Sequence, residues 1–444
     1  VMPHTGRATR QTKRGLSEGQ LAVLLVLPVL IVIGCISVYP ILKTLWYSMF
    51  DLRLNHPTRN DTHFTCSLDL EKYADGIYTF HTQINKALEK ASDDEEKQAV
   101  QALEDAAQSL ADQLFNTQER LDKLEQVNGL IDAYQPVNDD QLRYMALSTD
   151  EAETLKTSLT ELKELAEKAL QVSVSGSKPI GKAKQALDSL EFALVESNFV
   201  AFGNYSKYLT NPRLWSSVAN TTIFTVFAVS FELTVGMMLA LLMNQNYKGR
   251  GLIRASVLIP WSIPASTSAT IWKFMYDGQY GVIARLFAVL GIVPSAAWIL
   301  TTRVGSLFGM IVSDVWKTSP FMALLLLAGL QTIDGTLYEA AKVDGCGKVR
   351  SFFSITIPLL KPTMLVSVLF RTMDTFKAFD LPSVMTNGAN NTESISLYAY
   401  KLMFAQMDFG SGSAVSIILF IMVFCICMFY IKGLGADLFR SEKG

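Results

Sequence analysis

Five charged side chains form two groups within apolar stretches of this 444-residue chain, where an ionised group is costly unless it is paired or used. Asp314 and Lys317 share one stretch, and Arg371, Asp374 and Lys377 share another. The three-residue spacing of the second group keeps its side chains on one side of a helix. Such groups can hydrogen-bond a polar solute that crosses the membrane, or they can pair with one another for structural reasons. The residue types leave both interpretations open.

The histidines and cysteines do not form a catalytic or metal-binding set. All four histidines lie outside the apolar stretches, and Cys425 and Cys427 point in different directions on a helix. We interpret the cysteines as small apolar packing residues, and we expect no catalytic residue, metal site or bound cofactor. The chain also has no Gly-x-x-x-x-Gly-Lys-Ser/Thr phosphate-binding loop. Any nucleotide hydrolysis must therefore belong to another polypeptide.

Half of the residues are hydrophobic, and the apolar stretches that must position these charges are long enough to span a bilayer. The first is too long for a cleaved signal peptide, so we interpret it as a retained helix. Pro260 and Pro264 would kink the third, either for packing or as a gating hinge. Six spans are predicted, at about 21–50, 216–244, 252–276, 304–330, 359–385 and 413–432.

Basic residues near the ends of the spans predict the orientation, because cytoplasmic loops are enriched in Lys and Arg. When six spans are threaded alternately, four basic groups fall on one side. Both termini and a basic tail at 1–20 are then cytoplasmic, and residues 66–198 lie outside. The groups are Arg7, Arg10, Lys13 and Arg14; Lys248, Arg250 and Arg254; Lys342, Lys348, Arg350 and Lys361; and Lys432, Arg440 and Lys443.

Residues 66–198 form a polar, acidic insertion, with 26 acidic and 13 basic residues and therefore a net charge of -13. Apolar residues recur there in alternating steps of three and four, which predicts an antiparallel helical bundle. Ser92–Glu95 and Ser148–Glu151 both have the pattern of a capping box. The second helix is predicted to run from Asp94 to Tyr134. The bundle is either a spacer or a docking surface for an extracellular partner.

A short charged segment, residues 337–358, separates the fourth and fifth spans. Its pattern of Glu-Ala-Ala, Asp-Gly and Ile-x-Pro resembles the cytoplasmic coupling loop, or EAA motif, of permease subunits in ATP-driven, binding-protein-dependent (ABC) importers. Gly345 is suited to a backbone with φ above zero, and Pro358 is predicted to start the next membrane helix. The predicted coupling residues are Glu339, Ala340, Ala341, Asp344, Gly345, Gly347 and Pro358.

The resemblance extends over most of residues 203–435 and is strongest to the maltose-type sugar permeases. It rests on motifs such as Ile259-Pro-Trp-x-Ile-Pro264, Ser396-Leu-Tyr-x-Tyr-Lys401 and Phe409-Gly-x-Gly-Ser-Ala414. It implies an all-α membrane protein with six transmembrane helices of the type I importer permease fold. The first helix is 21–50, and a core domain at 216–435 holds the other five.

The family resemblance also implies function and partners. The expected function is import of a carbohydrate, such as a disaccharide or an α-glucoside, across a bacterial or archaeal inner membrane. The expected partners are a second permease in a heterodimer, two ATPase subunits that bind ATP and Mg, and a sugar-binding protein that docks on 66–198. No nucleic-acid partner is expected.

Seven residues are predicted to contact the substrate. Asp314 falls where the maltose-type pattern has a sugar-contacting Asn, so maltose itself is in doubt although the carbohydrate class is not. Carboxylates and amines suit sugar hydroxyls, and Phe370 and Met373 could pack on the C–H faces of a sugar ring. The full set is Asp314, Lys317, Phe321, Phe370, Met373, Asp374 and Lys377.

Three alternatives to a carbohydrate permease are compatible with parts of the sequence. A same-class permease for a polyol, a glycerol phosphate or another non-sugar solute is the main one, although a phosphorylated substrate would favour a more basic lining. A membrane-embedded enzyme would need a clustered nucleophile and base. A receptor would be expected to continue into a cytoplasmic output domain, and about a dozen residues follow Lys432.

Overall fold

A computed structural model describes residues 18–173 and 177–434. The chain divides into two compact units, 1–46 and 47–444. Most of the predicted basic tail at 1–20, and residues 435–444 at the other end, lie outside the described residues.

The first unit is one continuous helical segment made of α1 (Glu18–Ile33), a π-turn (Gly34–Val38) and α2 (Tyr39–Tyr47). The apolar part runs from Ala22 to Tyr47, and its 26 residues are long enough to cross a bilayer. Pro40 has no N–H to donate to the preceding turn, and the wider π-turn lies directly before it.

The insertion is mostly helical and has its own hydrophobic core. Its helices pack around buried side chains such as Phe80, Leu103, Leu155 and Leu187. The helices are α3 (Leu70–Lys90), α4 (Asp94–Leu114), α5 (Gln118–Asp132), α6 (Asp140–Arg143), α7 (Thr149–Val172) and α8 (Ser177–Glu191).

Two details of the predicted bundle were wrong. The long second helix is divided into α4 and α5 by residues 115–117, where Phe115 turns into the core. The insertion also contains a three-stranded antiparallel sheet of order β2-β1-β3, with β1 (Ser67–Asp69), β2 (Tyr144–Ala146) and β3 (Leu194–Val195). The strands are only two or three residues long, which is too short for the period-2 pattern that predicts a strand.

Only one of the two predicted capping boxes is present. Ser148 and Glu151 exchange hydrogen bonds, with Ser148 N donating to Glu151 Oε2 over 2.8 Å and Glu151 N donating to Ser148 Oγ over 3.2 Å. At the start of α4 the N-cap is Asp93, without a side-chain cap. Ser92 N donates instead to Glu96, one residue further on than predicted.

The Glu151 carboxylate also binds Arg120 from α5, with N–O distances of 2.7 and 3.2 Å. These bonds lower the pKa of Glu151 from its ordinary value of 4.5 to about 2. Because the folded pKa is depressed, the contribution to stability is present above pH 4.5 and is lost as the pH falls towards 2.

We therefore expect Glu151→Gln to lower the free energy of unfolding of a soluble 66–198 fragment by about 1 kcal/mol at pH 7, a value reduced for partial exposure. The difference from the unsubstituted fragment should shrink between pH 4.5 and pH 2. Urea unfolding at several pH values measures it, with Glu161→Gln on the exposed face of α7 as the control. An equal effect of the two substitutions would contradict the assignment.

The membrane part contains four further helical segments long and apolar enough to span a bilayer: 212–244, 303–330, 348–385 and 409–432. Together with Ala22–Tyr47 this makes five in the described part of the chain. The third predicted span is divided into three short helices. The elements are α9 (Gly203–Leu209), α10 (Pro212–Asn244), α11 (Arg250–Val257), α12 (Ile259–Ser262), α13 (Ala265–Met275), α14 (Val282–Val289), α15 (Trp298–Thr301), α16 (Arg303–Leu330), α17 (Gly335–Val343), α18 (Lys348–Ser351), α19 (Ile357–Phe376), α20 (Asp380–Met385), α21 (Ile395–Tyr400) and α22 (Phe409–Leu434).

The two prolines explain the division of the third span. Neither Pro260 nor Pro264 has an N–H for an intrahelical bond, and the chain leaves the helix at Leu258 and again at Ile263. At membrane depth the freed carbonyl groups must find donors within the protein. Lys317 supplies them: its Nζ donates to Ile263 O over 2.7 Å and to Trp261 O over 3.4 Å.

Small residues allow α10, α16 and α19 to pack closely. A Cβ on Gly236 of α10 would lie 2.7 Å from Met322 Cγ on α16. A Cβ on Gly329 of α16 would lie 2.5 Å from Thr363 Oγ1 on α19. Close approach through glycine is typical of membrane helix pairs. It brings side chains from three helices to one point, where the charges meet.

Candidate functional site

Arg371 of α19 lies at the centre of a buried ion cluster. Its Nε and Nη2 donate to the two carboxylate oxygens of Glu232 on α10, over 2.7 and 2.9 Å. Nη2 also lies 3.2 Å from Asp314 Oδ2 on α16, and Nη1 donates to Asp374 Oδ2 over 2.6 Å. The fifth member is Thr375, whose Oγ1 lies 3.0 Å from Nη2. One guanidinium thus joins three helices.

Burial makes this cluster costly to break. The side chains of Glu232 and Arg371 are 0% and 4% exposed, respectively, and that of Asp314 is 12% exposed. A bidentate guanidinium–carboxylate pair satisfies both charges in a low-dielectric site. Asp374 differs, because 67% of its side chain is exposed although one oxygen is held by Arg371.

Glu232 is not among the residues predicted from the sequence. It is the only acidic residue between 212 and 244, and it stands alone in its span without a charged neighbour on the same helix face. An isolated acid in a membrane helix signals a partner on another helix. Arg371 is the one arginine among the charged residues singled out in the apolar spans, so this signal could have predicted the pair.

Four of the predicted substrate residues share one face at the end of α19, where Lys377 is the C-cap residue. Phe370, Met373, Asp374 and Lys377 are spaced so that they line up along the helix. Phe370 is 55% exposed, Asp374 and Lys377 are also exposed, and Met373 is half-buried. The face therefore combines an aromatic ring, a thioether, a carboxylate and an ammonium group, which suits a ligand with hydroxyl groups and apolar C–H surfaces.

The other three predicted substrate residues lie on α16, in different surroundings. Asp314 is buried beside Arg371 rather than at the surface. Lys317 is half-buried and donates to the carbonyl groups of the divided span. Phe321 stacks on Trp261 of that span, with ring centroids 5.4 Å apart and planes at 14°. These three join α16 to its neighbours, and the exposed face is formed by α19.

The predicted coupling segment forms a short exposed helix, α17, with a defined start and end. Asp334 caps it by accepting from Thr336 N over 3.0 Å. It ends in a Schellman motif, in which Cys346 N donates to Ala341 O and Gly345 N donates to Lys342 O, over 2.8 and 3.1 Å. Gly345 has φ +77°, the left-handed conformation that the sequence analysis expected of it.

Pro358 lies in the first turn of α19, as predicted, but that helix is continuous with the helical residues before it. The helix that leads into the membrane begins at Lys348, passes through a π-turn at Phe352–Thr356 and continues as α19. Pro358 therefore lies ten residues inside the continuous helical segment. The π-turn directly before it accommodates a residue without an N–H, as at Pro40. Tyr338 of α17 is joined to this turn by a 2.8 Å bond between its hydroxyl and Thr356 Oγ1.

The protein has apolar helices of membrane length, and a buried ion cluster joins three of them. A short charged helix is exposed between two of these helices. Together these features are those of an integral membrane transport subunit. Residues 232–435 match the model of the binding-protein-dependent transport system inner membrane component family. The chain belongs to this family, which is the permease family that the coupling pattern indicated. The predicted fold class, an all-α membrane protein with the type I importer permease fold, is confirmed.

Several curated relatives are similar to about half of the chain. A trehalose/maltose transport system permease protein of Thermococcus litoralis is 43% identical over 239 residues, which are 53% of this chain and 80% of the relative. A sulfoquinovosyl glycerol transport system permease protein of Agrobacterium fabrum is 37% identical, covering 53% and 77%. A trehalose transport system permease protein of Mycobacterium tuberculosis is 37% identical, covering 54% and 76%.

Proposed function

We propose that this chain is the permease subunit of an ATP-driven, solute-binding-protein-dependent carbohydrate importer, and that its substrate is a neutral oligosaccharide such as a disaccharide or an α-glucoside. The observation that carries the proposal is the 43% identity to a relative named for trehalose and maltose, 80% of which is covered. The exposed face of α19, with Phe370 and Met373 beside Asp374 and Lys377, has the chemistry to bind a sugar. Uptake of labelled trehalose or maltose by the reconstituted complex tests it.

The proposed location is a bacterial or archaeal inner membrane, with both termini in the cytoplasm. The support is the distribution of Lys and Arg, which places the coupling segment inside and residues 66–198 outside. The acidic bundle is then available to a sugar-binding protein, its proposed partner. A spacer without a partner is the alternative.

The proposed assembly contains a second permease subunit, as a heterodimer, and two ATPase subunits that bind ATP and Mg; this chain binds neither. The coupling segment offers an apolar surface for an ATPase groove. Leu337, Val343, Val349 and Phe353 are 44%, 88%, 73% and 65% exposed, respectively. Exposed apolar residues grouped on a polar segment mark a contact surface.

The geometry suggests how movement passes from the ATPase to the substrate. The coupling segment joins α16 directly to α19, and Tyr338 ties α17 to the π-turn at the start of the second of these helices. Closure of the ATPase dimer would draw the coupling segments together and open the cavity outwards. Hydrolysis would then reset the subunit to the inward-facing state, so that access alternates without covalent chemistry in this chain.

We expect Val343→Asp to reduce the amount of ATPase subunit that co-purifies with the permease by about tenfold, because a carboxylate at an apolar contact costs about 1.4 kcal/mol or more. Quantitative immunoblotting of the detergent-solubilised complex measures it. Val289→Asp is the matched control, since Val289 is 85% exposed on α14, which the proposed orientation places outside. Equal ATPase recovery from both variants would contradict the assigned contact surface.

A second substrate class has one observation in its favour. The relative named for sulfoquinovosyl glycerol is 37% identical, so glycerol glycosides, polyols or glycerol phosphates form the alternative. The acidic side chain at Asp374 disfavours the anionic members of that group. Competition of trehalose uptake by glycerol glycosides and by sugar phosphates separates the two classes.

A further inference from the structure

We propose that Glu232 and Arg371 are positioning residues for substrate recognition, which hold Asp374 as the carboxylate that selects neutral, hydroxyl-rich ligands. The inference rests on the proposed function and extends it to residues outside the predicted binding set. Neither Glu232 nor Arg371 lies on the exposed face, so each acts on the ligand through Asp374.

The orientation of Asp374 is set by a chain of hydrogen bonds that begins on another helix. Glu232 of α10 binds Nε and Nη2 of Arg371 over 2.7 and 2.9 Å, which fixes both the position and the plane of the guanidinium. Nη1 of that plane then holds Asp374 Oδ2 at 2.6 Å. An exposed aspartate without such a contact rotates among several rotamers. Here one oxygen is held by Arg371, and the exposed carboxylate can accept from a ligand.

Such fixed geometry matters for sugars, because a hydroxyl hydrogen bond offers little net energy in water and its partner must already be in place. A fixed carboxylate accepts hydroxyl hydrogens without an entropic cost at the moment of binding. Phe370, one turn before Asp374 on the same face, supplies an apolar surface beside it. The pair thus presents one polar and one apolar contact in a constant relative position.

The charge count of the cluster explains the selectivity for neutral ligands. Glu232, Asp314 and Asp374 surround one guanidinium, so the group carries a formal charge of -2 when all three acids are ionised. Lys377 lies one turn further along the exposed face, and Lys317 is engaged by backbone carbonyls. An anionic group placed directly against Asp374 therefore meets a like charge at hydrogen-bonding distance, although solvent reaches the carboxylate.

A double-mutant cycle tests the proposal in the assembled complex, with radiolabelled trehalose as the probe and uptake divided by the ATP hydrolysed in the same vesicles. Glu232→Gln and Asp374→Asn should each lower this ratio by about tenfold. If Glu232 acts through Asp374, the ratio of sugar taken up to ATP hydrolysed should also fall only about tenfold in the double variant, because the second substitution removes no further interaction. A loss of about a hundredfold, the product of two independent effects, would overturn the proposal.

Two further variants keep the outcome interpretable. If Glu232→Gln prevents assembly, Thr375→Val removes another acceptor of Nη2, leaves Glu232 and Asp314 in place and preserves the side-chain volume. Its loss of uptake, about threefold, should disappear in the Asp374→Asn background, and persistence there would overturn the inference. Asp374→Asn should also relax the exclusion of trehalose 6-phosphate as a competitor, and an unchanged exclusion would count against the charge argument. Failure of the unsubstituted complex to take up any sugar would instead refute the proposed function.

Discussion

Replacement of Arg371 by methionine should prevent the permease from accumulating in the membrane. Within the described residues, the change removes the one cation bound to Glu232, whose side chain is fully buried, and it leaves that carboxylate without a counter-charge. Loss of one partner from a buried pair costs about 3–5 kcal/mol, which is a large part of the stability of a typical domain. The amount of folded protein recovered in detergent and its thermal denaturation temperature measure the effect.

The control for this prediction neutralises both partners. Glu232→Gln combined with Arg371→Met should recover much of the lost protein, because the remaining buried acid, Asp314, is 12% exposed and can take up a proton. Arg250→Met serves as a surface control, since Arg250 is exposed and its guanidinium donates to Asn246 Oδ1 over 2.7 Å. If the Arg371→Met variant accumulated in the membrane to the same level as the Arg250→Met variant, the ion cluster would not be needed for stability.

Gly345→Pro should abolish transport while leaving the subunit in the membrane. Gly345 has φ +77°, whereas proline requires a φ near -65°, and the substitution also removes the N–H that donates to Lys342 O. The end of α17 must then be rebuilt at a cost of about 3 kcal/mol or more, which corresponds to about a hundredfold in a docking equilibrium. Binding-protein-stimulated ATP hydrolysis by the purified complex measures the loss of coupling.

Two alanine substitutions separate backbone strain from general disturbance. Gly345→Ala keeps the N–H and meets no atom within 4 Å, so only the strain of about 1–2 kcal/mol in the left-handed region remains. Binding-protein-stimulated ATP hydrolysis by the Gly345→Ala complex should be reduced about tenfold. Gly335→Ala, at the start of the same helix and also without a neighbour within 4 Å, should behave as the unsubstituted complex. Normal stimulation in Gly345→Pro would refute the role assigned to this turn.

Local patterns in the sequence predicted most of the helices. Hydropathy located the long apolar segments, and Pro260 and Pro264 signalled the break in the third one, although not that it would become three separate helices. In the insertion, the alternating apolar spacing predicted the helical bundle and the capping box at Ser148. The division between α4 and α5 and the short strands depend on contacts distant in sequence, which periodicity does not record.

The charged site was predicted less completely, because pairing between helices is not visible along one helix. The acids and bases were recognised as significant, but their arrangement depends on how α10, α16 and α19 pack through Gly236 and Gly329. That packing brings Glu232 into contact with Arg371, which lies 139 positions further along the chain. Lys317 illustrates the same point, since its partners are backbone carbonyls freed by two prolines in another span.

The central claim, that this chain is the permease of an ATP-driven carbohydrate importer, is tested most directly by uptake into proteoliposomes. The vesicles contain this subunit with its second permease and ATPase subunits, ATP inside, and a sugar-binding protein with labelled trehalose or maltose outside. We expect sugar to accumulate against its gradient only when both ATP and the binding protein are present, and unlabelled sugar to compete. Uptake that is independent of ATP or of the binding protein, or no uptake of any neutral sugar by an assembled, ATP-hydrolysing complex, would contradict the claim.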